Sequence, residues 1–162
     1  MHKVIVVEAK KCTGCRVCEL ICSFTKEKVF SPSLSRIHVV NIEPFIDVAL
    51  TCRFCEDPQC VRVCPTNALR LDEEKGVITV NENKCIGCAW CVERCDFGVI
   101  TLHPSKKSAI MVCDLCRDMD KPPCVEFCPP KALQLSSLDA ISRKKKVEIV
   151  KKLEAASGAS SR

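Results

Sequence analysis

The sequence predicts an α+β fold in which one unit, strand, loop, short helix and strand, is used four times and followed by a longer C-terminal helix. Three observations predict it. Sixteen of the 162 residues are Cys, and they fall into four groups of four at related spacings. Short β-branched or Leu-rich runs flank those groups at matching positions. The chain is also poor in ordinary core: it has six Phe, one Trp and no Tyr, and its 47% apolar fraction includes the sixteen cysteines. A chain of this size with so little apolar filling needs cross-links or inorganic filling to hold a fold.

Each element follows in order. Val4-Ile5-Val6-Val7 is a β-branched strand. The first group, Cys12, Cys15, Cys18 and Cys22, has two residues between each of its first three cysteines and three before the last, a loop running into a short helix. Residues 23–51 then contain a strand-like run, Ile37-His38-Val39-Val40, and a turn around Glu43-Pro44. The second group, Cys52, Cys55, Cys60 and Cys64, has two extra residues before its third cysteine; Pro65 and the strand Ala68-Leu69-Arg70-Leu71 follow it. Asp72 to Gly76 reads as a hairpin loop leading to Val77-Ile78-Thr79-Val80. The third group, Cys85, Cys88, Cys91 and Cys95, repeats the spacing of the first and precedes Val99-Ile100-Thr101-Leu102. A second hairpin loop spans His103 to Ser108. The fourth group, Cys113, Cys116, Cys124 and Cys128, has five extra residues before its third cysteine, then Pro129 and the strand Ala132-Leu133-Gln134-Leu135. Ser136-Ser137 caps a helix from Leu138 to about Ala156, and Ser157 to Arg162 is expected to fray. The four units form two pairs rather than four independent domains.

Three chemistries compete for the cysteines. Disulfides suit exported chains, whereas Met1-His2-Lys3 opens no export signal and no apolar run nears the roughly 20 residues of a membrane span. The expectation is a cytoplasmic protein. Zinc needs two ligand pairs on separated knuckles, closing one tetrahedron. Here the first and third groups each place three thiolates within seven residues, which suits a loop wrapped around one face of a larger cube. The fourth cysteine, four residues on, points away along a helix and serves a different cube. That is the arrangement of bacterial two-cluster iron–sulfur proteins. Gly14 and Gly87, between the first and second ligands, let the backbone approach such a cluster, and backbone N–H groups near sulfur tune its potential.

The run from Leu50 to Leu69, Leu-Thr-Cys-Arg-Phe-Cys-Glu-Asp-Pro-Gln-Cys-Val-Arg-Val-Cys-Pro-Thr-Asn-Ala-Leu, resembles the second cluster segment of four-cluster electron-transfer subunits. These accompany molybdenum or tungsten pterin oxidoreductases, carbon monoxide dehydrogenase and some hydrogenases. Lys84-Cys85-Ile86-Gly87-Cys88 resembles their third segment. Cys113-Asp114-Leu115-Cys116 with Pro122 to Pro129 resembles their fourth. The likeness covers residues 3–135. It implies four [4Fe–4S] clusters with crossed ligation: Cys12, Cys15, Cys18 and Cys128 for cluster one; Cys52, Cys55, Cys60 and Cys95 for cluster two; Cys85, Cys88, Cys91 and Cys64 for cluster three; Cys113, Cys116, Cys124 and Cys22 for cluster four. It also implies a pseudo-two-fold pair of two-cluster ferredoxin-like modules within residues 1–135, residues 1–22 joining 113–135 with 52–102 inserted, and residues 136–162 as a basic tail. Asp96 stands where the family usually has Pro, which leaves ligation intact and alters the local turn. The short chain most resembles the small subunit beside tungsten-dependent aldehyde oxidoreductases. The function implied is single-electron relay to or from such a catalytic subunit, with no catalysis by this chain. Formate dehydrogenase, hydrogenase or carbon monoxide dehydrogenase are alternative partners. A free polyferredoxin and a filament of stacked copies are the rival readings, and a soluble ferredoxin or further copies of this chain are possible partners.

The formal charge of +5 omits the cofactors. Four oxidised clusters with their thiolates contribute about −8 and bring the loaded chain to about −3. The tail, 136–162, carries seven basic and three acidic residues, and it is read either as a helix covering the body or as a docking helix, with Leu138, Ile141, Ile149, Val150 and Leu153 as an imperfect apolar stripe. Nucleic-acid binding is excluded by the lack of stacking aromatics among the basic residues. His2, His38 and His103 stand apart from ligand-like motifs and read as surface or turn residues, and Trp90 reads as a shield over a cluster. Asp57, Asp114 and Asp118 read as solvated or as tuning charges. There is no nucleophile, phosphate-loop or dinucleotide motif.

Overall fold

The computed structural model describes residues 3–44, 46–106 and 109–156. Its described strands form four antiparallel two-stranded pairs. Strand β1 (Lys3–Val7) pairs with β8 (Leu133–Ser137), with Ile5 opposite Leu135. This pairing joins the first and last repeats, and Glu8 N–H continues it by donating to Ala132 O at 2.8 Å. Strands β2 (His38–Ile42) and β3 (Ile46–Leu50) form a hairpin across the cis Glu43–Pro44 bond. The sequence suggests β2 but not β3, whose only cue is alternation in Ile46-Asp47-Val48-Ala49.

Strands β4 (Leu69–Asp72) and β5 (Val77–Val80) close around the expected Asp72–Gly76 turn. Strands β6 (Thr101–Leu102) and β7 (Ile110–Met111) make a shorter ladder than Val99–Leu102 suggests. Val99 and Ile100 are buried all the same; they pack into the core ahead of the ladder. Lys107 and Ser108 of that loop lie outside the described residues, as do His2 and the segment 157–162.

The helices are short where cysteines are dense. Helix α1 (Val17–Glu27) carries Cys18 and Cys22 on one face, four residues apart. The next three are single turns: α2 (Gln59–Arg62), α3 (Trp90–Glu93) and α4 (Pro123–Glu126). Helix α1 packs on α4 and α2 on α3, so the first group meets the fourth and the second meets the third. Helix α5 (Leu138–Ala156) leaves β8 directly, and Ser137 Oγ accepts from Ala140 N–H at 3.3 Å as the anticipated cap. Ile141 of this helix packs against the core cluster; Leu138, Val147, Ile149, Val150 and Leu153 stay exposed.

The core consists of β-branched side chains from the strands together with cysteines. Ile5, Ile37, Leu69, Val77, Ile78 and Val99 are almost fully covered, and Cys18, Cys22, Cys91, Cys113, Cys124 and Cys128 belong to the same buried cluster. In most proteins those thiols would be poor substitutes for hydrocarbon; here they make up a large part of the interior.

Candidate iron–sulfur centres

Local backbone geometry repeats with the cysteines. Gly14 and Gly87 have φ of 65° and 69°, and a side chain at Gly14 would run into the Asp47 carboxylate. Arg16 and Ala89, two residues on, both lie in the left-handed region at 57° and 63° and start α1 and α3. In the other two groups Phe54 and Leu115 match at 52° and 58°, and Asn67 and Lys131 match at 50° and 51°. A sharp loop that turns three thiols inward requires these reversals, because extended or helical backbone would point successive side chains apart.

The last cysteine of a group is presented differently. Cys64 Sγ accepts the Ala68 N–H at 3.2 Å, and Cys128 Sγ accepts the Ala132 N–H at 3.3 Å. Cys22 Sγ accepts the Arg36 N–H at 3.4 Å. Each such bond favours thiolate over thiol.

Four neighbourhoods of thiols result. Cys12, Cys15, Cys18 and Cys128 line one small cavity, walled by Val39, Ala49 and Leu133. Cys64, Cys85, Cys88 and Cys91 line another, walled by Leu69 and Ile110. Cys22, Cys113, Cys116 and Cys124 are all buried and feel one another's charge. Cys52, Cys55, Cys60 and Cys95 form the fourth, since Cys52 feels Cys55 and Cys95 and Cys60 feels Cys52 and Cys95. A shallow cleft between Lys3, Val77, Leu115 and Leu135 holds no cysteine.

Electrostatic coupling links the neighbourhoods in sequence. Cys124 also feels Cys18, Cys113 also feels Cys52, and Cys60 also feels Cys91. Cys15 and Cys88 are exposed at the two ends; between them the Cys22 set is buried throughout and the Cys52 set is partly buried.

Burial controls the chemistry of these thiols. It pushes Cys18 and Cys60 up to about 12 and Cys52 and Cys91 up to about 11, with neighbouring charges adding to it. Cys113 is also pushed up to about 12 by burial. Cys124 is raised still further, again by burial. At Cys64 burial also raises, but hydrogen bonds from Leu69, Thr66 and Ala68 outweigh it and the net shift is downward. Thiols raised this far stay protonated at neutral pH unless something coordinates them. Metal coordination deprotonates a thiol outright, so the donor set fits a thiolate-bound group. Among the described residues no three His, Cys, Asp or Glu side chains converge tightly enough for one metal ion. Two sets of four thiols instead line small cavities, as the ligands of a polynuclear centre would.

Supporting contacts are tertiary and leave no trace in the sequence. Lys26 on α1 donates to Asp114 at 2.6 Å, and Asp114 in turn accepts from Cys116 N–H at 3.2 Å. This ties the helix of Cys22 to the loop of the fourth group. Glu19 Oε1, buried beside Cys18, accepts the Val39 N–H at 2.7 Å. Arg53 lies over the Phe97 ring at 5.8 Å, joining the loop after Cys52 to the turn after Cys95. The other singled-out residues fall out differently. Trp90 is 52% exposed and does not line the Cys64 cavity, so it is not the shield its position suggests. His38 is partly buried on β2, where burial lowers its pKa against the Glu19 charge. His103 Nδ1 accepts N–H bonds from Ser105 and Lys106 and organises the β6–β7 turn.

Comparison with known proteins agrees with this geometry. The family model of the 4Fe-4S dicluster domain matches residues 45–138. The polyferredoxin-like subunit of the aliphatic sulfonate oxidoreductase of Pyrococcus furiosus is 45% identical over 124 residues, 76% of this chain and 70% of that protein. The putative electron transport protein YsaA of Escherichia coli is 38% identical over 152 residues, 88% of this chain and 95% of its own length. A component of the anaerobic dimethyl sulfoxide reductase of Escherichia coli is 32% identical over 156 residues, 85% of this chain and 75% of that protein. No described helix is long and apolar enough to cross a membrane. The chain belongs to the 4Fe-4S dicluster domain family and is an iron–sulfur electron-transfer protein of oxidoreductase systems.

Proposed function

We propose that this chain is the electron-transfer subunit of a larger oxidoreductase and relays single electrons through four [4Fe–4S] clusters. The observation that carries the reading is the pair of end cavities, each lined by three close cysteines of one group and the last cysteine of another. On this reading the ligand sets are Cys12, Cys15, Cys18 and Cys128; Cys22, Cys113, Cys116 and Cys124; Cys52, Cys55, Cys60 and Cys95; and Cys64, Cys85, Cys88 and Cys91, in that order along the relay. A bound cubane supplies a one-electron redox centre at each set. The chain holds the sets in line, excludes water from the middle and leaves an edge open at each end. Backbone N–H groups at Cys22, Cys64 and Cys128 set local potentials.

The partner we infer is a catalytic subunit with a tungsten or molybdenum pterin. The 45% identity to a subunit of a sulfonate oxidoreductase and the 32% identity to a component of a dimethyl sulfoxide reductase support a partner of the oxidoreductase class. The α1–α4 and α2–α3 packing supports a division into two modules, residues 1–22 with 113–135 and residues 52–102. Anaerobic purification from the native host, with metal and sulfide analysis, tests the reading. About 16 iron and 16 sulfide per chain, with tungsten or molybdenum in a co-eluting large subunit, is the expected result. Zinc without sulfide would overturn the cluster reading, and a chain that elutes alone would favour a free polyferredoxin.

A further inference from the structure

We propose that the relay end beneath Cys15 is the docking site for a small acidic electron carrier, steered there by a basic rim that includes helix α5. Cys15 is exposed, and Arg16, beside it, is exposed and lines the same cavity. Lys10 and Lys11 precede that loop and are exposed. Lys131 follows Pro130 on the cavity's other wall, exposed, with its ammonium on Glu126 O at 3.0 Å. Helix α5 adds its charge at the same place. Lys144 reaches Glu8 at 2.8 Å, and Glu8 also takes Lys11 at 2.8 Å and Gln134 at 2.8 Å. That contact holds Lys144 of the helix beside Glu8 and Lys11, just ahead of the loop that begins at Cys12.

Glu8 is held by two lysines, while Asp47, against Gly14, takes only the Asn41 amide at 2.9 Å and Glu126 is exposed. Lys10, Lys11, Arg16, Lys131 and Lys144 outnumber these three carboxylates, so the rim carries a net positive charge. The other end differs, for Cys88 is flanked by exposed Ile86 and Trp90, with Lys84, Glu93 and Arg94 of mixed sign nearby. A basic rim around a redox edge, with Phe127 exposed beside Cys128, suits a small, weak, salt-sensitive contact with an acidic protein. One electron leaves the carrier's reduced iron–sulfur centre and enters the set beneath Cys15; no covalent bond changes.

The inference rests on the four-cluster relay, so iron and sulfide content is measured first on every preparation. The probe is an acidic two-cluster ferredoxin. Its Kd for the cluster-loaded chain is measured by titration at low and high salt, and its electron-transfer rate by stopped flow. We expect Lys10→Glu, Lys11→Glu and Lys144→Glu together to weaken binding at least tenfold at low salt and little at high salt. Arg70→Glu, Lys75→Glu and Lys106→Glu, an equal change of charge on the strand and loops of the other hairpins, are expected to shift Kd less than threefold. Equal effects of the two sets, or no effect of the first, would overturn the proposal. So would loss of carrier binding in Trp90→Asp with the basic rim intact. Release of the catalytic subunit by the first set with carrier binding unchanged, or tighter binding to anionic vesicles than to the carrier, would overturn it too. A chain with its full iron content that fails these tests leaves the relay standing and removes only the docking site.

Discussion

Cys15 and Cys88 occupy the same place in their repeats, after a glycine with positive φ and before a short helix, and both are exposed. Cys22, Cys113, Cys116 and Cys124 lie between them and are all buried. Burial pushes Cys113 and Cys124 far up, and Lys26 with Asp114 locks their loop to α1. The difference separates two tasks. An end set must let a partner come within reach of its edge and can tolerate water. A middle set must keep water out and hold the core, because its cysteines replace hydrocarbon that the sequence lacks. The interior set is thus as much a structural element as a redox one.

The sharpest way to break that comparison is to remove the iron. Iron loss returns the buried thiolates to uncoordinated thiols and takes away the filling of the cavities, so chelation under anaerobic conditions is expected to unfold the chain. A one-dimensional proton spectrum that stays dispersed after iron loss would contradict this. Next in size is a paired ligand replacement. Cys15→Ser is expected to cost at most one cluster, about four iron, and to leave the fold intact. Cys113→Ser is expected to cost about eight iron or more, since its set contacts both neighbours. Similar iron losses from the two variants would erase the distinction between end and middle.

Smaller is the effect of Lys26→Ala, which leaves Asp114 partly buried and unpaired. We expect a loss of about 1–3 kcal/mol, read as a lower thermal midpoint of the loaded chain, and a loss restored by Lys26→Arg. The smallest concerns the α5 tether. Hydrogen bonds from Lys11 and Lys144 hold Glu8 at about 2. A lowered carboxylate contributes stability above its ordinary value and loses it only as pH falls through the shifted one. Hydrogen-exchange protection at the start of α5 should therefore hold from about pH 8 to about pH 5, and Glu8→Gln should lower it at every pH in that range. A rise in protection in Glu8→Gln would show that the helix is held by other contacts.

Much of this architecture is legible in the sequence. The β-branched runs form β1 and β5, and the alternating Leu runs form β4 and β8, because a short apolar strand beside a turn has few alternatives. The turn at Asp72–Gly76 and the Ser137 cap are equally local. The cysteine groups are legible as groups because ligand spacing is a covalent property of the loop. The line of sets is not: it depends on which helices pack together, and α1 meets α4 across more than ninety intervening residues. Arg53 over Phe97, Lys26 on Asp114 and Glu19 on Val39 depend on the same packing and carry no sequence cue. Trp90 reads as a shield from its place between two cysteines, yet a one-turn helix starting at a left-handed residue turns it outward.

The central claim is the crossed assembly of the cysteines into four sets in a line, and iron anomalous diffraction from crystals of the loaded chain tests it most directly. Crossed assembly predicts four iron peaks, with one end peak held by Cys12, Cys15, Cys18 and Cys128 and the other by Cys64, Cys85, Cys88 and Cys91. A peak that joins Cys22 to Cys12, Cys15 and Cys18, so that each group ligates its own cluster, would contradict it.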